Sequence, residues 1–198
     1  MTEQQEASED AVMTRIGQAV ILLHAGDREE ARNRLRELWS EIGEEGDCLH
    51  RCTLAHYLAD AQDDPADELA WDLRALSAAQ ALQEAPAPGE AERPGGEEPG
   101  AAARDAGAAG TADRSAQGRP QAAMRVFYPS LHLSLATDYV KLRRPEAARV
   151  HLARARAATV ALADDGYGNG VRAAIARLER RLATEPGAGP RRFPEQSP

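Results

Sequence analysis

The chain has 198 residues, of which 28% are charged, with 32 acids against 24 lysines and arginines and a net charge of −8. Two cysteines cannot staple a disulfide scaffold. The longest apolar run, Ala19–Leu23, is far too short to span a membrane, and the overall acidity argues against a nucleic-acid coat. The opening residues Thr2-Glu3-Gln4-Gln5-Glu6 carry no apolar secretory stretch. A soluble, cytoplasmic chain is therefore expected. Its wealth of arginine, alanine and glycine suggests a GC-rich bacterial genome of the actinomycete kind.

Residues 1–9 are expected to be a flexible N-terminus. From residue 10 to 83, apolar and small residues recur on a 3.6-residue period. Val12, Ile16, Ala19 and Leu23 form one stripe, Ala31, Leu35, Leu38 and Ile42 the next, and Leu69, Leu73 and Leu76 a shorter one. Asp27 with Glu30 predicts a capping box, Gly43, Gly46 and Asp47 close one helix and open another, and Asp64-Pro65 predicts an N-cap followed by proline. Two helical hairpins follow from these signals. Residues 84–123 hold no Val, Ile, Leu, Met, Phe, Trp, Tyr or Cys. Such a segment buries too little apolar surface to offset its chain entropy, which predicts a disordered insert rich in Ala, Gly, Pro and Glu. Residues 124–183 resume the periodicity with Ala148, Leu152, Ala155 and Thr159, then Val171, Ile175, Leu178 and Leu182. Tyr128-Pro129 and Arg144-Pro145 predict two helix starts. This part is read as a third hairpin plus a last helix over about 167–182, in the same domain as 10–83. Residues 184–198, with four prolines, are expected to be a disordered tail. Nothing alternates with period two, so the fold class is all-α.

The chain also repeats itself. Ala19-x6-Gly26-x4-Ala31-x3-Leu35-x2-Leu38 aligns with Ala136-x6-Arg143-x4-Ala148-x3-Leu152-x2-Ala155. In the middle hairpin Ala55 and Leu69 lie two residues further apart, as though the turn at Asp63-Asp64-Pro65 were longer. With Leu22, Leu58, Leu135 and Tyr139 flanking, these positions resemble the tetratricopeptide repeat family over three hairpins. The family's tryptophan and first glycine are missing from every hairpin. The resemblance implies antiparallel hairpins stacked as a short solenoid, closed by a C-terminal capping helix.

Charge divides unevenly. Residues 1–83 have 18 acids and 7 bases, whereas residues 124–183 have 5 acids and 11 bases. Either the two halves attract each other across the stack, or the arginines at 143, 144, 149, 154, 156, 172, 177, 180 and 181 form a face for an acidic partner. Cys48, Cys52 and His56 stand at i, i+4 and i+8 of one helix. They are read as buried packing residues and groove lining, with zinc ligation the alternative if His24 or His132 completes a set. The acids at 60, 63, 64, 67 and 68 read as a solvated cap, since they lack the glycine-centred spacing of a calcium loop. Gly166-Tyr167-Gly168-Asn169-Gly170 could cradle a phosphate, but no strand precedes it and no lysine follows its glycines. No catalytic residue, cofactor or metal is expected, and the chain is not expected to be an enzyme.

What a helical stack offers is a concave surface lined by the first helix of each hairpin. The resemblance implies a lining of Met13, Ile16 and Val20, then Leu49, Cys52, His56 and Ala59, then Ser130, Leu133, Thr137 and Lys141. Such a groove is either open to a partner or filled by the chain itself. The expected function is a non-catalytic protein- or peptide-binding adaptor or scaffold. The alternative is a small regulatory adaptor whose basic C-terminal half binds an acidic partner or nucleic acid.

Overall fold

The computed structural model describes residues 3–84 and 110–184, and the side chains of 11–84 and 124–184. Seven α-helices account for almost all of these residues, with no strand among them: α1 (Glu3–Ala25), α2 (Arg28–Ile42), α3 (Cys48–Asp60), α4 (Pro65–Glu84), α5 (Gly110–Lys141), α6 (Pro145–Ala158) and α7 (Gly166–Thr184). A single 3-10 turn, Thr159–Ala161, follows α6. None of these helices is long and apolar enough to cross a membrane. Of the disordered insert expected over 84–123 and the tail expected over 184–198, residues 85–109 and 185–198 lie outside the described residues, whereas 84, 110–123 and 184 are helical.

Helix boundaries follow the capping chemistry. Asp27 Oδ1 accepts from the Glu30 amide at 3.4 Å, Asp47 Oδ1 from the Leu49 and His50 amides at 2.9 and 3.0 Å, and Asp64 Oδ1 from the Ala66 amide at 2.7 Å. Each satisfies amides that have no partner within the helix. The Asp27 box is one-sided, because the Glu30 carboxylate turns to Arg34 Nε at 2.7 Å. Three boundaries differ from the sequence expectation. Helix α1 begins at Glu3, ahead of the boundary expected at 10. Helix α5 begins at Gly110, ahead of the boundary expected at 124. Pro129 is consequently interior to α5 and fully buried rather than at a helix start. It leaves the Arg125 carbonyl without its usual donor, a local loss that the helix tolerates.

The repeat seen in the sequence reappears in the backbone. At the end of α1 the Gly26 amide donates to Leu23 O (3.2 Å) and the Asp27 amide to Leu22 O (3.0 Å). At the end of α5 the Arg143 amide donates to Val140 O (3.0 Å) and the Arg144 amide to Tyr139 O (2.8 Å). Both are Schellman turns, and both place the pivot residue in the left-handed region, φ 93° at Gly26 and φ 55° at Arg143. The turn after α3 is different and longer. Its carbonyls are satisfied from α2, where Arg28 Nη1 donates to Asp60 O (2.6 Å) and Arg32 Nε to Ala61 O (2.8 Å).

Each helix packs on the next, and α1, α3, α5 and α7 also touch in succession. Ala19 and Ala31, then Ala136 and Ala148, have no exposed surface and let their helices approach closely. Ile16, Leu35, Leu38, Leu54 and Leu58 fill the space between α1, α2 and α3. Cys52, Ala55, Ala75, Ala79, Met124 and Leu131 join α3, α4 and α5. Val140, Leu152, Val171, Ile175 and Leu178 close the other end around α7. Trp39 meets Trp71 edge-on at 5.1 Å and 87°, tying α2 to α4.

Candidate functional site: a charged cleft across α3, α4 and α5

Two carboxylates stand where the helical period calls for apolar side chains. Asp72 on α4 and Asp138 on α5 are each only 1% exposed. They meet where α3, α4 and α5 come together, with His56 of α3 between the helices. His56 Nδ1 lies 3.0 Å from Asp72 Oδ1, and its ring is edge-on to Phe127 at 5.2 Å. Burial alone would lower the imidazole's pKa, but the hydrogen bond and charge of Asp72, with the charge of Asp60, outweigh it and raise it. Asp138 has fewer compensations. Its Oδ2 makes no hydrogen bond, and its nearest cation is Lys141 Nζ, 3.7 Å away. Burial first, then the charges of Asp72 and Glu68 and a hydrogen bond with Asp72, push its carboxyl up to about 9, against the pull of Lys141. The shift favours the protonated form of Asp138 at neutral pH.

Asp60 and Glu68 sit at the adjoining ends of α3 and α4, and Lys141 at the end of α5 reaches across to them. Its Nζ lies 2.5 Å from both oxygens of Glu68. The surrounding protein raises the pKa of Asp60, an effect that His56 and Lys141 only partly offset. With Asp138, Ser134 and Thr137 these groups line a cleft of about 300 Å³. Asp60, Glu68 and Lys141 also border a second cleft of about 610 Å³ that runs toward His24 and Arg28. In the other direction Leu133 and Thr137 form the wall of a third, about 260 Å³, whose far side is Arg177, Leu178 and Arg181 of α7. The three clefts thus share their walls. They are acidic on the α3–α4 side and basic on the α7 side.

The residues expected to line a groove divide along this surface. Leu133, Thr137 and Lys141 line the clefts. Ser130 is half-buried and bonds Tyr167 Oη at 3.0 Å. The expected N-terminal two-thirds is not an open groove. Ile16, Cys52 and Ala59 are sealed in the core, Val20 and Leu49 pack half-buried against it, and Met13 stands on the surface. The physical reason is that α1 lies directly against α3, so their facing side chains fill the space between them. His56 is committed to Asp72.

The other motifs resolve into structure. Cys52 Sγ faces Met124 Sδ at 3.8 Å. Burial, with Asp72 and Cys48 nearby, pushes its thiol up to about 12, so it packs as a neutral group. His24 borders the outer cleft, and His132 pairs instead with His151, Nδ1 to Nδ1 at 3.1 Å between α5 and α6. Burial, the other histidine and Arg154 drop His132 to about 4. Among the described residues, no three His, Cys, Asp or Glu side chains are grouped to hold a metal. The glycine run at 166–170 is the first turn of α7. Asp165 Oδ1 accepts from the Gly168 amide at 2.8 Å, which occupies the donor a phosphate would need. Gly168 itself lies so close to Ala163 O that a Cβ would collide with it. Several of the basic residues are likewise engaged, Arg156 with Glu179 at 3.2 Å and Arg172 with Asp164 at 2.6 Å, while Arg177 and Arg181 face the cleft.

Comparison with protein-family models, with curated proteins and with solved structures finds no match. Sequence reasoning missed Asp72 and Asp138, and the signal was present. Asp72 falls between Leu69 and Leu76, and Asp138 between Leu135 and Leu142, so each interrupts an apolar face.

Proposed function

We propose that the chain is a non-catalytic, tetratricopeptide-like adaptor that binds an extended peptide segment of a partner protein in the cytoplasm. The observation that carries the reading is the run of three clefts joined through Leu133, Thr137 and Lys141, acidic at one end and basic at the other. An elongated, walled surface suits a chain segment better than a compact metabolite. Its charge gradient gives that segment a direction. The matching Schellman turns at Gly26 and Arg143 and the succession of odd-numbered helices support the repeat architecture. Among the described residues, no nucleophile in the cleft is hydrogen-bonded to a base. His56 is tied to Asp72, and the thiol of Cys52 is buried.

Selection of a random peptide library on the full chain tests this reading. Enriched peptides should shift the amide resonances of Leu133, Thr137 and Arg177. Thr137→Trp should fill the shared wall and weaken binding at least about tenfold without loss of helicity. Peptides that bind undiminished to Thr137→Trp, or that shift only residues on α2, α4 and α6, would place recognition elsewhere.

A further inference from the structure

The carboxyls around the central cleft outnumber the cations that face them. Asp60 of α3, Glu68 and Asp72 of α4 and Asp138 of α5 are four carboxyls. Facing them are one imidazole, His56 of α3, and one ammonium, Lys141 of α5. His56 is held by Asp72 and Lys141 by Glu68, which leaves Asp60 and Asp138 without a cation of their own. Asp138 is the critical member. It is 1% exposed, it lines the cleft, and its Oδ2 has no hydrogen-bond partner. A buried polar atom left in this state is costly unless something else supplies the partner.

Building on the peptide-groove reading, we propose that this cleft receives a lysine or arginine side chain of the bound segment, its head between Asp60 and Asp138 and its stem along Leu133. The shape and lining favour this occupant. Leu133 and Thr137 give an apolar flank suited to a methylene chain, and the carboxyls lie at its end. A divalent ion is a poorer match, because no three ligands converge among the described residues. Anions are repelled by the same charges. A free polyamine shares the ammonium chemistry. The side chain of a bound segment is favoured because the cleft is continuous with the walls toward Arg177 and Arg181.

Binding is linked to a proton. In the empty cleft Asp138 is kept neutral by its own proton. An arriving cation takes that proton's place, so one positive charge enters as one proton leaves to solvent. Affinity for the cation must then rise with pH until Asp138 ionises unaided.

The test uses the full chain and acetylated, amidated heptapeptides of alanine with lysine, arginine or norleucine at the centre, norleucine being the uncharged match for lysine. Nuclear magnetic resonance titration gives affinity, and calorimetry in buffers of different ionisation enthalpy gives proton release. The lysine and arginine peptides should bind at least about tenfold tighter than the norleucine peptide. They should release protons at neutral pH and gain about fiftyfold in affinity over the two pH units above it. Asp138→Asn should abolish both the preference and the proton release, and Glu68→Gln, which removes one of the charges that hold the proton on Asp138, should weaken both. Equal affinity for lysine and norleucine peptides overturns the cation pocket. If that shared binding is still blocked by Thr137→Trp, the peptide groove survives without the pocket. Failure of every heptapeptide to bind also rejects the pocket, and the library selection then decides the groove by itself. Spermidine shifting the cleft resonances while the peptides do not would assign the site to a free polyamine and reject the side-chain proposal.

Discussion

Replacing Asp138 with asparagine should stabilise the protein, and increasingly so as the solution becomes alkaline. The side chain is 1% exposed and its carboxyl is pushed up to about 9 in the fold, whereas the same group in an unfolded chain has its ordinary value of 3.8. Between those two values the native state holds a proton that the unfolded state has released. Stability therefore falls as pH rises through that window, by at most about 1.4 kcal/mol per pH unit. Asparagine has the size of the protonated acid and can give Asp72 the same hydrogen bond, but it has no proton to lose. Four pH units at that slope give an upper bound of about 5 kcal/mol, which relaxation around the ionised carboxylate, with water entering and Lys141 moving in from 3.7 Å, reduces. The net gain should thus be about 1–3 kcal/mol at slightly alkaline pH. For a chain of this size that corresponds to a melting temperature higher by roughly 3–10 °C. Near pH 4 the wild-type carboxyl and the asparagine are both neutral, and the two proteins should melt together. Thermal melts followed by circular dichroism at stepped pH values give the whole curve. A variant that is less stable by a constant amount at every pH would mean that Asp138 serves as an ion paired with Lys141. The picture of a carboxyl lacking its cation would then be refuted.

Two further substitutions probe the hairpins. Ala136 has no exposed surface where α5 meets α6, so Ala136→Leu should cost about 1–3 kcal/mol by overpacking, while Ala157→Leu on the exposed face of α6 should be nearly neutral. Equal losses in urea unfolding would contradict the helix register. Arg143 adopts φ 55° at the position where the first hairpin has Gly26. Arg143→Gly should relieve that strain for a net gain of about 0.5–1 kcal/mol, and a loss of stability would show that the guanidinium's contacts are worth more than the strain.

The fold was legible in the sequence because its determinants are local. A 3.6-residue stripe, an aspartate at Asp27, Asp47 or Asp64, and a proline at the first position of α4 or α6 each act within a few residues. The equivalence of Gly26 and Arg143 could be aligned from spacing alone, even though only one of them is a glycine. Pro129 misled because proline costs a helix one donor and some crowding, and a well-packed helix such as α5 absorbs that. The groove was legible only in part. Leu133, Thr137 and Lys141 follow the repeat and do line clefts. Ile16, Cys52 and Ala59 were misjudged because exposure depends on how near α1 lies to α3, which no local pattern encodes. The four carboxyls are the clearest case of nonlocal information. Asp60 and Glu68 were counted as solvated surface charge, and Asp72 and Asp138 went unnoticed. It takes the convergence of three helices to turn scattered acids into one electrostatic problem.

That convergence also links stability to recognition. A protein selected only for stability would not keep a carboxyl buried at Asp138 without a full partner, since an amide of the same shape relieves the strain at no cost in packing. The chain's sole lysine, among 24 basic residues, sits beside it. A lysine is a compact charge on a flexible stem, able to neutralise Glu68 and still yield space. An arginine fork would grip the carboxylate in two places and close the cleft. Strain held at Asp138 and a movable cation at Lys141 are therefore two halves of one arrangement, in which the empty cleft is costly and the occupied cleft is not. Asp138→Asn tests both halves at once. The variant should gain thermal stability and lose its preference for lysine peptides together. If it gains stability yet still discriminates lysine from norleucine, the buried acid is a structural flaw unrelated to binding, and the head of the ligand is held by Asp60 and Glu68 alone.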